Sequence, residues 1–147
     1  MTPTDDERAA ILFVDDEPFF AARYVEALEQ HYRVHFLNRA IEVVPFLDEN
    51  PTVSAVVLDV MMPTPAGVDE AETQRGLDTG LWLLDKMQYL GTWPLPVLIL
   101  TNRRPAAIAE ELTTRKINRE LISIRQKCDT RATLLPELVG EILARGR

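Results

Sequence analysis

Three short runs of this sequence are apolar at every position, and they constrain its fold more than any other feature. They are residues 11–14 (Ile-Leu-Phe-Val), 55–58 (Ala-Val-Val-Leu) and 97–100 (Val-Leu-Ile-Leu). A strand with one face in water alternates apolar and polar residues, so continuous runs predict strands buried on both faces of a parallel sheet. Two weaker runs, 34–37 and 121–124, also fit strands.

Stretches with helical spacing separate these runs. The predicted helices cover residues 18–30, 40–49, 81–90 and 105–115, and a fifth runs from an N-cap at Thr133 towards the C-terminus. Pro18 suits a first helical turn, and Pro45 predicts a kink or a late start in the second helix. Five β-α repeats predict an α/β fold, with a parallel sheet covered by helices on both faces.

Polar residues follow the predicted strands where parallel sheets bind their ligands, at the carboxyl ends. Asp15 and Asp16 follow the first strand, Asp59 the third and Thr101 the fourth, and Lys127 lies near the end of the fifth. Clustered carboxylates repel each other, and Mg²⁺, a hard cation that prefers oxygen ligands, would relieve that repulsion. A carboxylate can also act as a nucleophile and form an aspartyl phosphate. Phosphoryl transfer needs charge neutralisation, which the metal, the hydroxyl and the ammonium would supply.

Charge and composition argue against several other classes of protein. Sixteen Lys and Arg residues against 23 Asp and Glu give a net charge of −7, which disfavours direct nucleic-acid binding. Cys128 is the single cysteine, so an internal disulfide and a cysteine-rich zinc site are excluded. Residues 1–8 are polar and acidic rather than a signal peptide, and the apolar runs are too short to span a bilayer. We therefore expect a cytoplasmic protein without membrane attachment.

Several motifs together resemble the receiver domain of two-component response regulators, the CheY-like superfamily. They are Ile-Leu-Phe-Val-Asp15-Asp16-Glu-Pro, Val-Val-Leu-Asp59-Val-Met-Met-Pro63, Leu-Ile-Leu-Thr101, the later Lys127, and Asp78-Thr79-Gly80-Leu81 at the start of the third helix. The resemblance covers residues 9–145 and implies one receiver domain over residues 1–147. It also implies a flavodoxin-like, doubly wound sheet of five parallel strands in the order 2-1-3-4-5.

The same resemblance implies a role in phosphorelay signalling. Asp59 would accept a phosphoryl group from a sensor histidine kinase or phosphotransfer protein, and Thr101 and Lys127 would bind the phosphoryl oxygens. The domain would pass the signal to an unidentified downstream protein by protein–protein interaction. It would not be an enzyme, apart from catalysing its own phosphorylation and dephosphorylation.

The resemblance implies a magnesium site beside the phosphoacceptor. Asp16 and Asp59 would bind Mg²⁺ directly together with the backbone carbonyl of Met61. Asp15 would hold the metal through a water molecule.

Three single residues depart from the family pattern. Cys128 replaces the proline that usually follows the lysine, so we expect a trans peptide bond there, since a non-proline cis bond costs about 2.5–4 kcal/mol. Asn102 replaces a small residue and would narrow access to Asp59. Ile124 stands where the family often has a switching tyrosine or phenylalanine, so we expect the usual coupling between hydroxyl and aromatic ring to be absent or different.

The connection from about residue 64 to residue 79, here called the insertion segment, is longer than connections in α/β units usually are. It contains Asp69, Glu70, Glu72 and Asp78 against Arg75 alone. We expect a mobile acidic surface loop beside the strand ends.

Two other functions compete with a phosphorylated receiver. The first is a receiver-like binding module that acts without phosphorylation, which the residues at positions 102, 124 and 128 would suit. The second is a phosphohydrolase of the haloacid dehalogenase type, which needs a second aspartate two residues after its nucleophile. Met61 occupies that position, so this reading ranks last.

Overall fold

Five parallel strands form a single sheet in the order β2-β1-β3-β4-β5, as predicted. The computed structural model describes residues 7–146. Six of the eight N-terminal residues that argue against a signal peptide therefore lie outside the described residues. Arg147, the last residue of the expected domain, also lies outside them. The strands are Ala10–Val14 (β1), Arg33–Leu37 (β2), Val53–Leu58 (β3), Val97–Thr101 (β4) and Ile122–Gln126 (β5). Every residue of β1 and β4 is buried, as their continuous apolar sequences predict.

Helices cover both faces of the sheet because neighbouring strand residues point to opposite sides. The five helices are Pro18–Glu29 (α1), Val43–Glu49 (α2), Thr79–Met87 (α3), Pro105–Thr114 (α4) and Leu135–Arg145 (α5). One core joins α1 and α5 to the sheet around Ile11 and Phe13. The other joins α2, α3 and α4 to the sheet around Leu12 and Val14. None of the helices within residues 7–146 is long and apolar enough to cross a bilayer.

Proline positions account for the starts of two helices. A 3₁₀ turn at Ala40–Glu42 precedes α2, so Pro45 falls in the first turn of that helix, and the predicted late start is confirmed. The predicted N-cap at Thr133 is wrong. A 3₁₀ turn at Ala132–Leu134 occupies that position, and α5 begins at Leu135 with Pro136 in its first turn.

The insertion segment is hydrogen-bonded rather than an open loop. Residues Glu70–Thr73 form a 3₁₀ turn, and the buried Thr73 hydroxyl lies 2.7 Å from that of Thr64. The amide of Met62 donates to the carbonyl of Gly76 at 3.2 Å, which ties the segment to the end of β3. Gly76 has φ +93°, and a Cβ there would lie 2.8 Å from the Met62 carbonyl oxygen, so the turn requires glycine.

Exposure within the segment differs from the expected acidic surface. Asp69, Glu70 and Glu72 are exposed, but Asp78 is completely buried. The expectation that Asp78 belongs to an exposed loop is therefore wrong. Asp78 lies directly before α3 and is paired with Arg103.

The strand register aligns the ends from which the polar residues project. Val14 pairs with Leu58, Leu58 pairs with Ile99, and Ile99 pairs with Ile124. The amide of Asp59 then donates to the carbonyl of Val14 at 2.9 Å, which continues the β1–β3 pairing by one residue. The residues immediately after β1 and β3 are consequently side by side.

Candidate functional site

Three carboxylates meet at the carboxyl edge of the sheet. One oxygen from each of Asp15, Asp16 and Asp59 lies within 4.8 Å of the others. Asp15 and Asp59 are 1% and 5% exposed, because they directly follow the buried strands β1 and β3. The sequence-based expectation that these aspartates share one site agrees with this geometry.

Lys127 joins two of the carboxylates. Its Nζ donates to Oδ2 of Asp15 at 2.7 Å and to Oδ2 of Asp59 at 3.1 Å. Lys127 directly follows β5, at the same edge of the sheet. Within residues 7–146 the cis peptide bond is that of Trp93-Pro94, so Lys127 and Cys128 are joined by a trans bond, as predicted. Lys127 reaches the aspartates without a proline after it.

Burial and mutual repulsion perturb the carboxyl groups. Burial raises the pKa of Asp59, the Lys127 charge opposes that rise, and the neighbouring Asp15 adds to it. The pKa of Asp16 is also raised, first by burial and then by Asp15. Burial lowers the pKa of Lys127, but its contacts with Asp15 and Asp59 outweigh burial, and the net direction is upward. The cluster therefore has excess negative charge that one ammonium compensates only in part.

One carboxylate oxygen at the site has no protein partner. Oδ1 of Asp16 is buried and accepts no hydrogen bond within the described part of the chain. By contrast, Oδ1 of Asp15 accepts from the amide of Glu17 at 2.9 Å, and Oδ1 of Asp59 accepts from that of Met61 at 3.3 Å. A buried unpaired carboxylate oxygen beside two further carboxylates fits a hard divalent cation such as Mg²⁺.

Thr101 lies at the end of β4, but its hydroxyl is hydrogen-bonded to a backbone amide rather than to the carboxylates. The side chain is completely buried, and Oγ1 accepts from the amide of Arg103 at 3.3 Å. Lys127 bonds Asp15 and Asp59 directly, whereas no such bond joins Thr101 to the carboxylates among residues 7–146. The structure thus assembles four of the predicted side chains and places Thr101 on the neighbouring strand end.

An open cleft of about 420 Å³ gives access to the carboxylates. Asp16, Asp59, Met61 and Lys127 line its polar end. Phe20 of α1, Asn102 of the β4–α4 connection and Cys128 also line it. Asn102 lines this cleft and is exposed.

Two contacts that support the site were not predicted from the sequence. Arg103, two residues after Thr101, forms an ion pair with the buried Asp78 of the insertion segment. Tyr24 of α1 donates its hydroxyl to the carbonyl of Thr130 at 2.9 Å, next to the turn that carries Lys127. An aspartate just before a helix and an arginine just after a strand are weak signals, because each is common at the surface of α/β proteins.

Comparison with known proteins supports the fold. No family model matches the sequence, and no curated protein is significantly similar to it. The structure is similar to a CheY-like response regulator receiver domain protein from Methanospirillum hungatei, with a TM-score of 0.69, 19% identity and coverage of 93% of this chain and 94% of that one. A response regulator from Desulfuromonas acetoxidans gives 0.68 at 20% identity, with 92% and 97% covered.

A third similar structure is a response regulator receiver domain protein from Clostridium thermocellum, with a TM-score of 0.67 and 20% identity. The match covers 94% of this chain and 96% of that one. The strand order β2-β1-β3-β4-β5 and the helices on both faces agree with these matches. The chain therefore has the receiver-domain fold of the CheY-like response regulators.

Proposed function

We propose that residues 1–147 form a single receiver domain of a two-component system, in which Asp59 accepts a phosphoryl group. One observation carries the proposal: Lys127 bonds both Asp15 and Asp59 at the edge of a receiver-type sheet. A lysine that pairs with two buried aspartates beside an open cleft suits a site that binds a phosphoryl group. The phosphodonor would be a histidine kinase or a phosphotransfer protein.

The transfer uses the Asp59 carboxylate as nucleophile. One of its oxygens attacks the phosphorus of the donor's phosphohistidine, and the phosphorus–nitrogen bond breaks with its electron pair passing to the imidazole. Lys127, already 3.1 Å from Oδ2 of Asp59, then donates to the incoming phosphoryl oxygens. Later attack by water on phosphorus breaks the bond to Asp59 and releases inorganic phosphate.

Mg²⁺ is the cofactor that the site residues fit. Asp16 and Asp59 would hold it together with the carbonyl of Met61, and Asp15 would act through water. The unpartnered Oδ1 of Asp16 and the clustered oxygens of the three aspartates support this assignment. When bound, the metal supplies positive charge against the carboxylates and the phosphoryl oxygens.

Side chains around Asp59 would contact the phosphoryl group and its donor. Thr101 would donate its hydroxyl to a phosphoryl oxygen, and its oxygen can go on accepting from the Arg103 amide, because a hydroxyl donates and accepts at the same time. Asn102 lines the same cleft and restricts it. A protein donor would approach over α1, where Phe19 and Phe20 are 86% and 64% exposed and Phe20 lines the cleft.

The test is intact-mass measurement after incubation with acetyl phosphate, a small phosphodonor, in the presence of Mg²⁺. We expect one added phosphoryl group, and we expect no adduct in Asp59→Asn or when EDTA removes the metal. Asp48→Asn is the matched control, because Asp48 is an exposed carboxylate at the end of α2, which leads into the amino end of β3, whereas the cluster lies at the carboxyl end. It should gain the phosphoryl group as the unmodified chain does.

The alternative is a receiver-like module that binds a partner without phosphorylation. Absence of any adduct, together with calorimetric evidence that Mg²⁺ still binds, would contradict the phosphoacceptor proposal and favour that alternative. An adduct that persists in Asp59→Asn would move the phosphoacceptor to another residue.

A further inference from the structure

A buried ion pair connects the insertion segment to the residues that follow Thr101. Arg103 donates from Nη1 to Oδ1 of Asp78, and the same nitrogen lies 3.5 Å from the carbonyl oxygen of Leu77. Asp78 closes the insertion segment, and Arg103 lies between β4 and α4. The ion pair therefore bridges two connections that come from different strands.

The Asp78 end of this bridge is fixed to the strand that carries Asp59. The amide of Asp78 donates to the carbonyl of Thr73 at 2.8 Å, and its carbonyl accepts from the first turn of α3. Two residues later, the amide of Gly80 donates to the carbonyl of Val60 at 2.8 Å. A Cβ at Gly80 would lie 2.5 Å from the Asp59 carbonyl oxygen, so this backbone packs directly against the Asp59 backbone.

Burial of the Asp78–Arg103 ion pair strongly restrains the position of the Arg103 guanidinium. Asp78 is completely buried, and the side chain of Arg103 is only 20% exposed. Oδ2 of Asp78 has no hydrogen-bond partner in the described chain, and Arg103 is the cation that pairs with this carboxylate. Separating a buried carboxylate from its charge partner is strongly unfavourable, which holds the guanidinium at this place.

The Arg103 end of the bridge reaches the Thr101 hydroxyl. The amide of Arg103 donates to Oγ1 of Thr101 at 3.3 Å. The ion pair that holds the Arg103 side chain therefore also restrains the backbone amide that is bonded to the Thr101 hydroxyl. A second contact holds the segment to the far end of α4, where Nη2 of Arg115 donates to the carbonyl of Glu72 at 3.1 Å. The insertion segment thus contacts both flanks of α4.

We propose that Asp78 and Arg103 are positioning residues for Thr101, and that the insertion segment is the strap that carries Asp78. The strap holds the Thr101 hydroxyl in a defined place relative to Asp59 before a phosphoryl group arrives. This rests on the proposed function, in which Thr101 binds a phosphoryl oxygen. A preorganised hydroxyl contributes more to transfer than one that must be ordered during the reaction.

The test compares Asp78→Asn with the matched control Asp69→Asn. Both remove one negative charge from the insertion segment, but Asp69 is exposed, and its carboxylate accepts from the amide of Ala71, two residues away, at 2.9 Å. We expect Asp78→Asn to slow the gain of a phosphoryl group from acetyl phosphate about fivefold, and Asp69→Asn to leave the rate within about twofold. In a Thr101→Ala background the effect of Asp78→Asn should disappear, because the strap acts through Thr101.

A merely structural role for the pair predicts different results. An equal slowing by Asp78→Asn with and without Thr101 would overturn the proposal, and so would no slowing at all. If Asp78→Asn fails to fold, the double variant Asp78→Leu with Arg103→Met removes both charges while keeping apolar volume, which buried pairs often tolerate. It should show the same loss of rate and the same dependence on Thr101.

Amide hydrogen exchange tests the strap without any phosphorylation. Asp78→Asn should speed exchange at residues 101–104 at least about threefold and leave β2 unchanged, because the opening is local. If the unmodified chain takes no phosphoryl group, the proposed function fails and this exchange result alone decides on the strap. Unchanged exchange at residues 101–104 would then overturn it.

Discussion

The Nζ atom of Lys127 lies 3.1 Å from Oδ2 of Asp59, although 68 positions separate the two residues in the sequence. The side chain of Asp59 is 6% exposed and that of Lys127 is 16% exposed, so water screens this pair weakly. The same ammonium bonds Asp15 at 2.7 Å. Lys127 is thus the cation on which the packing of two buried carboxylates depends.

Replacing Lys127 should destabilise the metal-free protein. Lys127→Met leaves the Asp15 and Asp59 carboxylates buried without their cation, and we expect the free energy of unfolding in EDTA to fall by about 3 kcal/mol. Urea denaturation followed by circular dichroism measures this change. Lys116→Met removes the same charge at an exposed position and should change stability by about 0.5 kcal/mol or less. Equal losses in the two variants would contradict the assigned role of Lys127.

The pH dependence of stability should report the same contacts. The folded-state pKa of Lys127 lies above the ordinary value of 10.5, because its bonds to Asp15 and Asp59 outweigh burial. A raised lysine pKa gives stability that is fully present below pH 10.5 and is lost as pH rises through the folded-state pKa. The stability difference between the unmodified chain and Lys127→Met should therefore shrink over that alkaline range. A difference that stays constant there would refute this linkage.

The Asp16 carboxylate should lower the stability of the metal-free protein and raise the stability of the metal-bound protein. Burial and Asp15 raise the pKa of Asp16, so its ionisation opposes folding at pH 7. In EDTA, Asp16→Asn should be slightly more stable than the unmodified chain, by less than about 1 kcal/mol because solvent screens a partly exposed group. The stability gain of Asp16→Asn should fall as pH drops through the folded-state pKa of Asp16. The folded unmodified chain is then protonated at Asp16 and, like the asparagine variant, carries no charge there.

Added Mg²⁺ should reverse this order. A ligand at 100 times its Kd stabilises the folded state by about 2.7 kcal/mol, and Asp16→Asn should lose most of that increment at the same metal concentration. Thermal unfolding with and without Mg²⁺ measures both chains. Equal Mg²⁺ stabilisation of the two chains would count against Asp16 as a ligand.

The close approach of α3 to β3 makes Gly80 sensitive to substitution. A Cβ there would lie 2.5 Å from the carbonyl oxygen of Asp59 and 2.6 Å from Cα of Val60, so the backbone itself must move. We expect Gly80→Ala to lower stability by about 3 kcal/mol. Gly67→Ala is the control, because its Cβ would enter open space and only the positive φ of 84° is strained, at about 1 kcal/mol. Denaturant midpoints in the reverse order would contradict this packing.

Tyr24 should stabilise the turn that follows Lys127. Its hydroxyl donates to the carbonyl of Thr130 at 2.9 Å, and Thr130 in turn bonds the carbonyl of Gln126 through its side chain at 2.9 Å. Tyr24→Phe should lower stability by about 1 kcal/mol, the usual size for one partly buried hydrogen bond. Tyr89→Phe removes an exposed hydroxyl and should be neutral. A neutral Tyr24→Phe would show that α1 does not support this turn.

The sequence by itself was sufficient for the sheet and its helices. Continuous apolar runs such as residues 97–100 are typical of strands buried on both faces of a covered parallel sheet, and every residue of β4 is buried in the structure. Parallel sheets bind their ligands at the carboxyl ends of the strands, and this rule predicts from the sequence that Asp15, Asp16 and Asp59 lie together. Local patterning determines such features because burial and strand direction follow from neighbouring residues along the chain.

Tertiary structure alone decided how the insertion segment is used. Its acidic composition predicts a solvated loop, yet Asp78 is completely buried because Arg103, from another connection, supplies the opposite charge. The N-cap of α5 is Leu134 rather than the predicted Thr133, because a 3₁₀ turn precedes that helix. The sequence lists the charges, but which charges pair in the interior depends on the distance between segments that only folding brings together.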